Sequence, residues 1–177
     1  MSSPQKPELF HVYKGTRIPP VVTESAVDAL EKFQVRQDDI FVASYPKSGT
    51  HWISEVINLI LVDGDARKLD HRHRRACLEI TDTTDLSRIH ESQPGLELVQ
   101  TDPSPRVLLT HLRPGHLPKE AWDKRSPIIY ILRNPKDACL SMFDFSMGFT
   151  LPDGQPYLRP EDFDKFLQDF ASGNGNC

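Results

Sequence analysis

Three short apolar runs are spaced along the chain, and each one is followed by polar, turn-forming residues. They cover residues 40 to 44, 107 to 110 and 128 to 132. Runs of this length that end in turn-forming residues predict buried strands. The third run, Ile-Ile-Tyr-Ile-Leu, lacks polar alternation, so we expect it to form a central strand covered on both faces.

Helical periodicity appears between and around these runs. From Thr50 to Ile60 the apolar residues fall on one broad helical face, and apolar faces also run through residues 23 to 33 and 161 to 170. Thr23 is the expected N-cap of the earliest of these helices. Residues 96 to 99 are interpreted as a minor strand.

Strands that alternate with helices predict an α/β fold, here a three-layer αβα arrangement with a central parallel sheet. A length of 177 residues fits a single domain over residues 1–177 rather than two. Four prolines within residues 1–20 predict an extended N-terminal arm.

The turn after the first predicted strand carries residues suited to phosphate. Lys47 supplies a charge, and Gly49 allows close backbone approach or a positive φ. The hydroxyls of Ser48 and Thr50 can donate hydrogen bonds, and the start of the following helix favours an anion at the same point. A plain structural turn is the alternative interpretation. Lys-Ser precedes Gly-Thr here, whereas Gly precedes Lys in nucleotide triphosphatases.

A second strand-to-helix turn follows the third predicted strand. Asn134 and Pro135 suit the start of a helix. Arg133 offers a planar charged fork for phosphate, and Ser141 lies about two helical turns further on. A structural ion pair for Arg133 and a surface hydroxyl for Ser141 are the alternatives. The turn therefore predicts a second anion site.

His111 comes directly after the second predicted strand. Ligands of α/β proteins bind at the carboxyl ends of strands, and histidine is the side chain most easily poised as a base near neutral pH. Its position alone also fits a structural or surface histidine. His116 lies further into the next loop and is the weaker candidate.

Composition and charge narrow the classes of function. The net charge of −4 gives no general attraction to nucleic acid or anionic membrane. No apolar run could span a bilayer and the polar start lacks a secretory signal, so we expect a cytoplasmic protein. The three cysteines have no paired spacing. A metal could be bound by His71, His73 and Cys77. Their segment is rich in charge, however, and is interpreted as a solvated face.

Three segments together resemble the cytosolic sulfotransferases. Tyr45-Pro46-Lys47-Ser48-Gly49-Thr50 followed by Trp52 resembles their 5′-phosphosulfate loop, and Thr110-His111-Leu112 resembles the segment with their catalytic histidine. Arg133-Asn134-Pro135-Lys136-Asp137 with Ser141, eight positions after Arg133, resembles their 3′-phosphate site. The resemblance implies a P-loop-like sulfotransferase fold and 3′-phosphoadenosine 5′-phosphosulfate (PAPS) as sulfuryl donor, without a metal.

The resemblance also implies roles for single residues. His111 would be the catalytic base, and Lys47 would stabilise charge on the 5′-phosphate and its leaving oxygen. The 5′ side would also be bound by the backbone N–H groups of Ser48, Gly49, Thr50, His51 and Trp52, and the 3′-phosphate by Arg133 and Ser141. Trp52 is expected either to stack on adenine or to lie in the core.

The implied acceptor is a small molecule, namely a phenol, steroid, alcohol or amine, and the sequence does not identify it. Phe10 and Tyr13 of the arm would either line its pocket or pack on the domain surface. Neither nucleic acid nor membrane is an expected partner. The sequence does not determine the oligomeric state, and a dimer is one of the alternatives.

The sequence departs from the family pattern in four places. His51 stands where many members carry Thr, and this variation is expected to be tolerated. Leu109 stands where many members carry a lysine, Arg113 is inserted before Pro114, and nothing matches the C-terminal Arg-Lys-Gly region. We therefore expect a chain that is truncated at its C-terminus relative to the family. Two alternatives to an active sulfotransferase are a truncated, catalytically inactive form and a P-loop nucleotide kinase.

Overall fold

The computed structural model describes residues 11–19, 21–69, 76–80, 94–148, 154, 156 and 158–173. The strands of these residues are β1 (His11–Tyr13), β2 (Thr16–Ile18), β3 (Ile40–Ser44), β4 (Val107–Thr110) and β5 (Ile128–Ile131). The helices are α1 (Glu24–Glu31), α2 (Thr50–Leu61), α3 (Gly95–Leu98), α4 (Lys119–Asp123), α5 (Pro135–Ser146) and α6 (Phe163–Ala171). Short 3-10 turns occupy Ala66–Lys68, Val99–Thr101, Pro114–His116 and Pro160–Asp162.

Strand β3 lies at the centre of a parallel sheet, whose described strands run in the order β4-β3-β5. Val42 of β3 lies opposite Leu109 on one side and Ile129 on the other. The strands predicted at residues 40 to 44 and 107 to 110 are thereby confirmed. The carboxyl ends of all three strands reach the same edge of the sheet, where the predicted site residues follow.

The third predicted strand forms, but its expected central and doubly covered position is wrong. Among the described residues, β3 is the one strand that pairs with β5. Ile129 and Tyr130 are 38% and 59% exposed. An unbroken apolar run reflects β propensity, whereas the order of strands and the cover over each depend on segments far away in the sequence.

The side chains of β3 enter two cores because successive residues of a strand point to opposite faces. Phe41 packs with Ala26 and Leu30 of α1 on one face. Val42 packs with Ile53 and Ile57 of α2 on the other. Helices on both faces of a parallel sheet give the three-layer αβα arrangement that the sequence predicts.

The interpretation of residues 96 to 99 as a minor strand is wrong. Gly95–Leu98 form helix α3, and a 3-10 turn continues it through Val99–Thr101. Leu96 and Val99, three positions apart, are both buried in the core. A spacing of three places two residues on one face of a helix, whereas in a strand they would point to opposite faces.

The arm contains a hairpin that the sequence analysis did not name. Strands β1 and β2 pair antiparallel around Lys14 and Gly15, which both have positive φ. Ile18 is buried against Val22 and Val27. Residues 1–10, Phe10 among them, lie outside the described residues.

Candidate active site

The turn between β3 and α2, residues 45 to 49, is called the first turn of the site. It has the strand, loop and helix order that the sequence predicts. Helix α2 begins at Thr50, and its N-cap is Gly49 with a φ of 106°. A side chain at residue 49 would meet no atom within 4 Å, so the glycine is required by its backbone conformation rather than by crowding. Lys47 also has a positive φ, of 63°. Two residues with positive φ within three positions bend the chain sharply into the helix.

The hydroxyl groups of this turn do not all face outward. Thr50 is buried, and its hydroxyl is hydrogen-bonded to the hydroxyl of Ser44 at the end of β3. Ser48 is also buried, and its N–H donates to the carbonyl of Tyr45 at 3.2 Å. These bonds hold the turn in shape, and Thr50 joins the helix to the strand.

His51 and Trp52 lie on the exposed side of the first turn of α2. Trp52 is 71% exposed. Of the two expectations for Trp52, the core position is therefore wrong, while its ring is accessible for stacking on a planar ligand.

The second turn, between β5 and α5, also forms as predicted. The side chain of Asn134 accepts a hydrogen bond from the N–H of Lys136 at 3.0 Å and caps α5. Pro135 occupies the first turn of the helix. Arg133 is exposed just before the cap, and Ser141 is half-buried further along the same helix.

The two turns meet in space. Arg133 donates from Nη1 to the carbonyl oxygen of Lys47 at 2.7 Å, a contact between residues 86 positions apart. The Lys47 ammonium lies 4.4 Å from the ring centre of Phe145 in α5, within the range of a cation–π contact. Two basic side chains from separate motifs thus stand at one edge of the sheet. Because a guanidinium has five N–H donors, Arg133 keeps donors for an anion while it contacts Lys47.

His111 is held at the same edge, at the end of β4. Its Nδ1 lies 2.9 Å from the carbonyl oxygen of Ser44. A carbonyl can only accept, so Nδ1 carries the proton and Nε2 of the neutral ring carries the lone pair. The backbone N–H of His111 donates to Oε1 of Glu79 at 2.7 Å. This arrangement leaves Nε2 as the basic nitrogen.

Glu79 is a site residue that the sequence analysis missed. It is 0% exposed, and besides His111 it accepts a hydrogen bond from the Thr110 hydroxyl at 2.9 Å. The available signal was an acidic residue between the apolar Leu78 and Ile80. Because Lys, Glu, Arg and Asp are rarely buried unless paired, such a residue in an apolar context predicts a buried partner.

His116 and Leu109 are positioned for structure rather than chemistry. His116 is buried, and its Nε2 lies 2.6 Å from the Thr16 hydroxyl, which links the hairpin to the loop after β4. Leu109 is fully buried against Val42 and Cys77. The position at which the resemblance suggests a lysine is therefore part of the core in this chain.

A cleft that is open to solvent adjoins His111. Its walls come from β2 and the residues just after it, the first turn, the segment of Ile80 and the loop after β4: Thr16, Arg17, Ile18, Pro19, Val22, Pro46, Ile80, His111, Leu112 and Arg113. Tyr13 is not among them. Its hydroxyl donates to Asp28 at 2.7 Å, so Tyr13 packs against α1 instead.

Metal and thiol chemistry find no support in the described part of the chain. These residues contain no cluster of three or more His, Cys, Asp or Glu side chains that could hold a metal ion. His71 and His73 lie outside them. Burial, and secondarily the charge of Glu79, raises the pKa of the Cys77 thiol, so this thiol stays protonated and unreactive.

The structure also bears on membrane association. Across residues 11–173, excluding the stretches not described, no helix has the length and apolar character needed to cross a bilayer.

Comparisons with known proteins agree with the geometry. The family profile for the sulfotransferase domain matches residues 37–177. Dog Sulfotransferase 1B1 is 35% identical over 150 residues, which are 82% of this chain and 46% of that protein. Mouse Sulfotransferase 1E1 is 34% identical over 175 residues, which are 97% of this chain and 55% of that protein.

Solved structures give the same result. Mouse sulfotransferase SULT7A1 complexed with PAP superposes with a TM-score of 0.67 and 32% identity over 95% of this chain and 54% of that one. The chain spans about half the length of the curated relatives it matches. The profile match, the curated relatives and the shared fold show that this chain belongs to the sulfotransferase family.

Proposed function

We propose that the chain's site binds PAPS and transfers its sulfuryl group to a hydroxyl or amine of a small molecule. The observation that carries the proposal is the 2.7 Å contact between Arg133 and the carbonyl of Lys47. It brings together two strand-to-helix turns that each suit one phosphate. The similar mouse enzyme SULT7A1 is complexed with PAP, the form of this donor without its sulfuryl group.

The residues at the two turns fit a doubly phosphorylated nucleoside. Lys47 and the backbone N–H groups at residues 49 to 52 would hold the 5′ side and stabilise charge on the leaving oxygen. The N–H of Ser48, which the sequence also suggested, is engaged with the carbonyl of Tyr45. Arg133 and Ser141 would hold the 3′-phosphate. Trp52, exposed beside the first turn, is available to stack on adenine.

His111 would act as the general base of the reaction. Its Nδ1 proton is engaged with Ser44, so Nε2 is free to take the proton from the acceptor hydroxyl or amine. The acceptor oxygen or nitrogen forms its bond to sulfur as the bond between sulfur and the 5′-phosphate oxygen breaks. The products are the sulfated acceptor and adenosine 3′,5′-bisphosphate, and the reaction requires no metal.

The cleft beside His111 is the proposed acceptor site. Ile18, Val22, Ile80 and Leu112 make most of its wall apolar, which suits a phenol, steroid, alcohol or amine with an apolar body. We propose that the protein works in the cytoplasm, with neither nucleic acid nor membrane as partner.

Transfer of labelled sulfate from PAPS to a panel of phenols, steroids, alcohols and amines tests the proposal. His111→Ala should lower the turnover number about 10²- to 10⁴-fold, because it removes a general base. It should leave binding of adenosine 3′,5′-bisphosphate unchanged. His116→Asn is the matched control, because it replaces a buried histidine that does not itself line the cleft and whose ring contacts the Thr16 hydroxyl. Equal turnover of the His111→Ala variant and the unchanged chain would refute the role of the base. Absence of turnover and of nucleotide binding in a folded chain would favour the inactive alternative.

A further inference from the structure

The segment around Glu79 forms an additional edge of the sheet beside β4. Leu78 donates from its N–H to the carbonyl of Leu109 at 2.8 Å, and Cys77 bridges to Leu109 in parallel. On its other side, Ile80 bridges to Val22. The segment therefore fixes Glu79 next to the end of β4, where His111 begins the loop.

Both carboxyl oxygens of Glu79 accept hydrogen bonds from residues at the end of β4, where His111 lies. Oε1 accepts from the N–H of His111 at 2.7 Å, and Oε2 accepts from the hydroxyl of Thr110 at 2.9 Å. The Thr110 hydroxyl in turn accepts from the N–H of Leu112 at 3.1 Å. Burying a carboxylate is costly unless it is hydrogen-bonded. Here two hydrogen bonds come from Thr110 and His111, and the Thr110 hydroxyl connects them to Leu112.

Two separate elements therefore hold His111. Glu79 fixes the backbone of residue 111, and the carbonyl of Ser44, which directly precedes the first turn, fixes the ring through Nδ1. With both the peptide and one ring nitrogen fixed, the direction of Nε2 is set before any ligand binds. Preorganisation of this kind lowers the barrier of proton transfer without any contact to the substrate.

We propose that Glu79 is a positioning residue for the base His111, which it holds through the backbone of residue 111 and the hydroxyl of Thr110. This inference rests on the proposed function for its catalytic meaning, but the hydrogen bonds themselves can be tested without turnover.

Asp39 provides a matched control. It is also a fully buried carboxylate, and it is paired with Arg106 at the opposite end of the strands.

The test compares Glu79→Gln with Asp39→Asn by amide hydrogen exchange and NMR on the full chain. Glutamine keeps one acceptor oxygen for the His111 N–H but carries no charge, so this hydrogen bond is weakened, while its NH2 group can donate to the Thr110 hydroxyl. Exchange at the His111 amide should rise about tenfold or more in Glu79→Gln, beyond any rise at α1 and β3 amides. Asp39→Asn should change the exchange of His111 no more than that of the core. Thr110→Val should accelerate exchange at Leu112 instead.

The outcomes separate this inference from the proposed function. A Glu79→Gln variant whose His111 amide exchanges as in the unchanged chain, or rises only together with the whole core, overturns the positioning role. Where the chain turns over, Glu79→Gln should lower the turnover number and leave the KM for PAPS unchanged. An unchanged turnover number would overturn the role as well. A chain without turnover refutes the proposed function, while the exchange pattern still decides on Glu79.

Discussion

The two sides of the central strand β3 are built differently. On the β4 side, Leu108, Leu109, Thr110 and Glu79 are fully buried, and His111 is hydrogen-bonded from two elements. On the β5 side, Ile129, Tyr130 and Leu132 are exposed, and the exposed Arg133 reaches back to the first turn. The difference indicates that the residues proposed for proton transfer belong to the core. Those proposed to bind the nucleotide form a surface assembly that depends on contacts between side chains and loops.

The largest expected contrast comes from two residues that face the same partner. Leu109 and Ile129 both lie opposite Val42, one on each side of β3. Leu109→Ala should destabilise the chain by about 2–5 kcal/mol because it leaves a cavity in a closed core. Ile129→Ala, at a half-exposed position, should cost less than about 1 kcal/mol. Urea denaturation of both variants measures the difference, and equal losses would show that the two sides are buried alike.

A smaller effect is expected at Gly49, whose φ of 106° is strained for any residue with a side chain. Gly49→Ala should cost about 1–2 kcal/mol through the backbone alone, since no atom lies close enough to clash. It should also weaken binding of adenosine 3′,5′-bisphosphate, because the N-cap shapes the first turn.

Gly15→Ala is the control for that variant. Gly15 also has a positive φ and open space around it, but it lies in the hairpin turn. The Gly15→Ala variant should lose a similar amount of stability and should bind the nucleotide as the unchanged chain does. If both alanine variants bind the nucleotide equally well, the conformation of Gly49 does not matter for the site.

Much of the fold was predictable because the signals were local. The apolar run of β3, the periodicity of α2 and the cap at Asn134 each lie within a few residues of the structure they determine. The position of β5 in the sheet and the role of Glu79 were not predicted. Glu79 meets Thr110 and His111 from 31 and 32 positions away, and no short pattern encodes a pairing over that distance.

The smallest predicted effect concerns the hairpin beside the cleft. The hydrogen bond from Lys14 and, as the next largest cause, the hydrogen bond from Tyr13 lower the pKa of Asp28 below its ordinary value of 3.8. A carboxyl group whose pKa is lowered by folding stabilises the folded state at pH values above its ordinary pKa. This stabilisation is lost as the pH falls through the folded-state pKa. The hairpin should therefore loosen from α1 below about pH 4.

NMR signals of residues 13 to 18, followed from pH 6 to pH 2, measure this loosening. Asp28→Asn should remove that acid step, because its side chain does not titrate. A step of equal size in the Asp28→Asn variant would assign the transition to another group.

Calorimetric titration with adenosine 3′,5′-bisphosphate and adenosine 5′-monophosphate tests most directly whether the two turns form one nucleotide site. Arg133→Met should weaken binding of the bisphosphate about ten- to hundredfold, the loss expected for charged hydrogen bonds to phosphate, with a much smaller effect on the monophosphate. Lys47→Met should weaken binding of both ligands. If Arg133→Met binds the bisphosphate as tightly as the unchanged chain does, the two turns do not share a ligand.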